Sequence, residues 1–123
     1  MKMKIYIAGK ITGNPHYKSQ FRATEEALRR EGYTVLNPAD LPEGMKPGDY
    51  MRICFAMLDS ADIVFFQSEW EESEGARLEF DYAKYIGKPI IAMKADFPDV
   101  SEDTIRTVAE VAEFLRNSPV AIR

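Results

Sequence analysis

The residue of this chain best equipped for chemistry is Glu79, which closes the run Ser73-Glu74-Gly75-Ala76-Arg77-Leu78-Glu79 after the apolar stretch Ile63-Val64-Phe65-Phe66. The apolar stretch reads as a buried parallel strand, and Leu78 to Ile86 as part of the helix after it. Ser73 is a good N-cap for that helix, and Gly75 and Ala76 keep its first turn bare, so a ligand can come close to the backbone there. Glu79 then falls in the second turn, facing the crevice above the carboxyl ends of the strands, where open α/β sheets bind ligands. A carboxylate held there can act as nucleophile or general base.

Tyr6 lies inside the first strand, Lys4 to Ala8, two residues before a loop. A tyrosine there ordinarily packs in the core. Its hydroxyl can also donate to Glu79 across the top of the sheet, orienting the carboxylate and favouring its ionised form. The loop itself, Gly9-Lys10-Ile11-Thr12-Gly13, is bounded by glycines and leads toward a helix. Its amides, with Lys10 and the Thr12 hydroxyl, can cradle an anion or a sugar. It is neither a Walker loop nor the Rossmann glycine pattern, and the plain alternative is an ordinary βα turn. Trp70, the chain's one tryptophan, sits in the loop above the third strand. It either packs on the domain's own rim or stacks on a planar ligand, and stacking is the expectation carried forward. Glu71, Glu72 and Glu74 read as a solvated face, with one of them an available proton donor. Asp62 precedes its strand and so sits at the wrong end of the sheet for this site. Cys54 falls on a buried helical stripe.

The elements that hold these residues alternate between short apolar runs and segments of helical period. Strands are expected at Lys4–Ala8, Thr34–Asn37, Ile63–Phe66 and Lys88–Met93. Helices are expected from about Tyr17 to Glu31, from Gly48 or Asp49 through Ala61, after Ser73 until Gly87, and from Ser101 with a stripe of Ile105, Val108, Ala112 and Leu115. Pro119 to Ile122 reads as a short fifth strand, and the loop from Ala39 to Gly48 as part of the site rim. Strand–helix alternation argues for a parallel sheet with right-handed crossovers and helices on both faces. The fold class is therefore α/β: a flavodoxin-like, Rossmann-like, doubly wound sheet of four to five strands in one domain, residues 1–123.

Composition narrows the chemistry further. A net charge of −4 offers no basic footprint for a nucleic acid polymer. No apolar run is long enough to span a bilayer, and the start of the chain reads as a strand of a cytoplasmic protein rather than a signal peptide. A single cysteine and a single histidine leave no internal disulfide and too few ligands for a His/Cys zinc site. No paired-acid spacing points to another metal, and no cofactor motif is present. Carboxylates, hydroxyls and backbone amides remain.

Taken together, Tyr6-Ile7-Ala8-Gly9-x-Ile11-x-Gly13, Asn37-Pro38, Ala61-Asp62, Trp70-x-x-Ser73-x-Gly75-Ala76-x-x-Glu79-x-x-x-Ala83 and Gly87-Lys88-Pro89 resemble the nucleoside 2-deoxyribosyltransferase-like superfamily. That group includes the 2'-deoxynucleoside 5'-phosphate N-hydrolases, and the tryptophan-bearing signature resembles a branch of small phage and bacterial proteins. The likeness covers nearly the whole chain. It implies that Glu79 attacks the anomeric carbon with Tyr6 orienting it. It implies further that Gly9 to Gly13 hold the sugar or its 5'-phosphate, that Ser73 contacts that phosphate, and that the chain forms a homo-oligomer. A carboxylate would displace the base, and water or a second base would release the sugar. Two positions depart from the family. The acid that protonates the leaving base falls on Cys54, a poor substitute, with Glu74 and Asp49 as other acids at hand. Lys10 and Thr12 replace a serine and an arginine of the hydrolases.

The leading reading is thus an enzyme that cleaves or transfers the N-glycosidic bond of a small-molecule (deoxy)nucleoside or nucleoside 5'-monophosphate, hydrolase ahead of transferase. Its competitor, favoured by Cys54, is a non-catalytic nucleotide or nucleotide-sugar binding module. A phosphoribohydrolase of the cytokinin-activating type fits less well, because its longer Pro-Gly-Gly element is absent.

Overall fold

A computed structural model of the chain describes residues 3–93. The expected fourth helix and fifth strand lie outside the described residues. Four strands, β1 (Lys4–Ala8), β2 (Thr34–Leu36), β3 (Ile63–Phe66) and β4 (Ile90–Ala92), form one sheet in the order β2-β1-β3-β4. Every pairing is parallel, with Tyr6 beside Leu36 on one side and Val64 on the other. This is the first part of the flavodoxin-like strand order.

Three helices make the crossovers: α1 (Tyr17–Arg30), α2 (Pro47–Ser60) and α3 (Glu74–Tyr85). The chain steps outward from β1 to β2, then returns past β1 to β3 and β4. Right-handed crossovers in opposite directions put α1 on one face and α2 with α3 on the other. The core divides accordingly. Ile5, Ile7, Ile63 and Phe65 meet Phe21 and Leu28 of α1. Tyr6, Ala8, Val64 and Phe66 meet Cys54 and Leu58 of α2 and Ala76 and Ala83 of α3. All eight of these residues of β1 and β3 are buried, so the two central strands are apolar at consecutive positions, as strands covered on both faces require.

Element ends differ from expectation by a residue or two. Helix α2 starts at Pro47 rather than Gly48 or Asp49, because proline suits the first helical position, where no amide partner is lost. Short 3₁₀ turns, unanticipated, occupy Pro38–Asp40 and Trp70–Glu72. Asn37 closes the first by accepting from the Ala39 amide at 2.9 Å. Gly87 ends α3 with a φ of +74°, the left-handed stop that glycine adopts without strain. Asp62 caps the amino edge of the sheet, accepting from the Lys4 amide at 2.7 Å, on the far side from the crevice.

Candidate active site

The direction of the chain changes between β1 and β3, and the crevice opens above their carboxyl ends. A cavity of about 690 Å³ lies there. Its floor comes from the strand and helix positions that parity and period turn the same way: Tyr6 from β1, Cys54 from α2 and Glu79 from α3. Gly9, Ile11 and Thr12 of the first loop and Ser73, Gly75 and Ala76 at the start of α3 line it as well.

Tyr6 and Glu79 are 1% and 5% exposed, and the tyrosine hydroxyl donates a short hydrogen bond to Glu79 Oε2. Burial pushes the Glu79 carboxyl up to about 7, and the Tyr6 bond opposes that rise without cancelling it. The Tyr6 hydroxyl itself stays far above its usual range, because burial and the neighbouring Glu79 charge both penalise its anion. It is a fixed donor. Cys54 stands next to this hydroxyl, and burial lifts its thiol to about 11. The floor therefore holds one group that ionises near neutral pH, oriented by one that does not.

Ser73 caps α3 as the sequence predicts, its Oγ accepting from the Ala76 amide at 3.2 Å. Its hydroxyl proton stays available to a ligand. Gly75 leaves ordinary contact distances: a methyl group there would stand 3.4 Å from Met51 Sδ and 3.9 Å from Ser73 Oγ. Two loop residues are not brought to the cavity. Lys10 turns to Glu72, its Nζ 3.0 Å from Oε1, and Gly13 makes the turn at a φ of +77°. The Asn14 side chain ties that loop by donating to the Lys10 carbonyl at 3.0 Å.

Trp70 requires a correction. It does not reach the cavity and is 4% exposed, stacked on Phe80 with ring centroids 4.7 Å apart and tilted against Phe66 at 5.1 Å. Glu69 adopts a left-handed φ of +69°, and the tight turn after it folds the indole back onto the sheet. Packing a large apolar ring against two others outweighs exposing it over the crevice.

The outer wall comes from residues without a chemical signature. Leu41 and Met45 belong to the loop expected at the rim, and Pro47, Tyr50 and Met51 to the start of α2. Tyr50 pins that loop by donating to the Pro42 carbonyl. Tyr17, the first residue of α1, also lines the space. Their signal in the sequence, apolar residues around a proline-rich loop, does not separate a wall from a core. Among the described residues no cluster of three His, Cys, Asp or Glu side chains is set to hold a metal ion, and no helix is long and apolar enough to cross a membrane.

Known proteins agree with this architecture. A protein of Thermofilum pendens (strain DSM 2475 / Hrk 5), provisionally named 2'-deoxynucleoside 5'-phosphate N-hydrolase 1, is 28% identical over 97 residues, covering 74% of this chain and 67% of the relative. The solved structure of the 2-deoxyribosyltransferase from Bacillus psychrosaccharolyticus matches with a TM-score of 0.61 at 22% identity, over 80% of this chain and 77% of that one, which establishes a common fold. The model of the family described as a domain of unknown function, DUF4406, matches residues 3–92. The chain therefore belongs to the DUF4406 family, within the nucleoside 2-deoxyribosyltransferase-like superfamily.

Proposed function

We propose that the protein cleaves or transfers the N-glycosidic bond of a (deoxy)nucleoside or nucleoside 5'-monophosphate, with Glu79 as nucleophile. The observation that carries this reading is the buried Tyr6–Glu79 pair on the cavity floor. Burying a carboxylate is costly, and a fold keeps one beside an open cavity when the group has work to do there. Glu79 attacks the anomeric carbon and forms a glycosyl-enzyme, and Tyr6 holds the attacking oxygens in place. Ser73 and the first loop take the far end of the sugar. The names of the relatives, an N-hydrolase and a deoxyribosyltransferase, agree with this class of reaction.

Release of free base from a panel of nucleosides and 5'-monophosphates tests the reading. Base release by the wild type and not by Glu79→Gln supports it, and equal release by both sinks it. A second reading rests on Cys54, a thiol held at about 11 where the family places its acid. On that reading the cavity binds a nucleotide or nucleotide-sugar without turnover, so calorimetry detects binding while no base appears. The protein is further expected to act in the cytoplasm as a homo-oligomer, a dimer or larger. Ile53, Leu78 and Ile86, 37%, 50% and 42% exposed, offer apolar surface for such pairing. Light scattering that finds a 14.0 kDa particle would refute the oligomer.

A further inference from the structure

The charge pattern of the cavity narrows the substrate, on the reading that Glu79 is the attacking group. Three acidic side chains line the space, Glu72, Glu74 and Glu79, and among the described residues no lysine or arginine does. Lys10 offsets the first of these, its Nζ 3.0 Å from Glu72, which leaves Glu74 and Glu79, and Arg52 is paired with Asp49 at 2.8 Å. A phosphate dianion entering here meets like charges, with the N-terminal pole of α3 as the main offset. A cation meets attraction. Tyr50 on the wall is also of the residue type whose ring face holds cationic groups, as the Tyr17 ring already does with Lys18 Nζ 5.9 Å from its centroid.

The leaving group points the same way. When a neutral purine or pyrimidine departs, the bonding pair stays on its ring nitrogen, and a general acid supplies a proton there, worth about 10²–10⁴-fold. The side chain beside Tyr6 and Glu79 on the cavity floor is Cys54, whose buried thiol is too weak an acid for the task. Glu72 is tied to Lys10, and Glu74 stands exposed in the first turn of α3.

We propose that the preferred substrate is a nucleoside with a free 5'-hydroxyl whose base is already cationic, an N-alkylated purine or pyridinium ring. A Glu79 oxygen bonds to the anomeric carbon as the bond to the ring nitrogen breaks. The bonding pair returns to that nitrogen and cancels its positive charge, so the base leaves neutral without a proton. Water then adds to the anomeric carbon, the glycosyl ester bond breaks, its pair restores the Glu79 carboxylate, and one proton passes to solvent. No acid is required in either step.

Base release from 7-methyl-2'-deoxyguanosine, 2'-deoxyguanosine and 2'-deoxyguanosine 5'-monophosphate, corrected for spontaneous hydrolysis, tests this with wild type, Glu79→Gln and Cys54→Asp. The wild-type kcat/KM is expected to be at least ~100-fold higher for the methylated nucleoside than for its parent, and lowest for the monophosphate. Cys54→Asp restores a carboxylic acid beside Tyr6 and should speed the unmethylated nucleoside enough to narrow the gap by ~10-fold or more. Near-equal wild-type values, a gap that a folded Cys54→Asp leaves unchanged, or a preference for the monophosphate overturns the substrate assignment and leaves Glu79 as nucleophile. No release from any substrate, or equal release by Glu79→Gln, overturns the nucleophile and the assignment together. Should Cys54→Asp fail to fold, the wild-type ratios decide alone.

Discussion

Two buried side-chain pairs sit at the carboxyl end of the same sheet, on opposite faces, and they do different work. Tyr6 donates to Glu79 on the face covered by α2 and α3. Thr24 of α1 donates to Gln67 Oε1 at 2.9 Å on the other face. The second pair is neutral and enclosed. Gln67 lies against Gly9 so closely that an added methyl group would stand 2.7 Å from Gln67 Cγ and 3.1 Å from Phe21 Cζ. That pair locks α1 to the base of the first loop. The first pair is ionisable and opens on a cavity. A polar group that only has to fasten two elements can be uncharged and sealed, whereas one that has to react must carry charge and face space.

The widest separation between the pairs should appear in turnover. Glu79→Gln keeps the shape of the carboxyl and most of its hydrogen bonding, so substrate binding persists while turnover falls by about 10³-fold or more. Single-turnover base release together with calorimetric binding checks this. A matching loss in Thr24→Val would erase the distinction between the two faces.

Stability should separate the apolar support of the site from the site. Trp70→Ala removes a buried ring stacked on Phe80 and is expected to cost about 3–5 kcal/mol in denaturant unfolding. The wild-type tryptophan fluorescence should change little on ligand addition, because the indole is outside the cavity. A large ligand-induced change with a stability loss near zero would return Trp70 to the site.

Gly9→Ala probes the enclosed pair. The new methyl group must displace Gln67 and the Phe21 ring, an overpacking expected to cost about 1–3 kcal/mol. Chemical denaturation measures it, and an unchanged midpoint would show that Gln67 moves aside freely.

Tyr6→Phe removes one hydroxyl and little packing. It should cost about 1–2 kcal/mol of transition-state stabilisation, with a nearly unchanged Tm. It should also move the pH dependence. In the wild type Glu79 ionises near 7, so kcat/KM is expected to rise with pH through that region. Stability should run the other way. The folded-state value lies above the ordinary 4.5, so this group's contribution is complete below about 4.5 and is lost as pH rises through about 7. Without the Tyr6 bond, which favours the ionised form, the activity midpoint should shift to higher pH. A midpoint that stays in place would mean that Tyr6 only packs.

The parallel sheet, the three helices and the cap at Ser73 were all legible in the chain, because each follows from local rules: apolar runs, helical period and a short polar cap. So was the meeting of Tyr6 with Glu79, since strand parity and the second turn of a helix aim both at one crevice. Tertiary structure alone decided where Trp70 went. Its position in a loop permits either a rim or a ligand contact, and the choice came from the way Phe66 at the end of β3 and Phe80 in α3 come together to receive the ring. The same holds for the Thr24–Gln67 pair, 43 residues apart, and for the wall formed by Tyr17, Tyr50 and Met51. Nothing local distinguishes an apolar side chain that fills a core from one that borders a cavity, because the difference lies in what the rest of the chain leaves empty beside it.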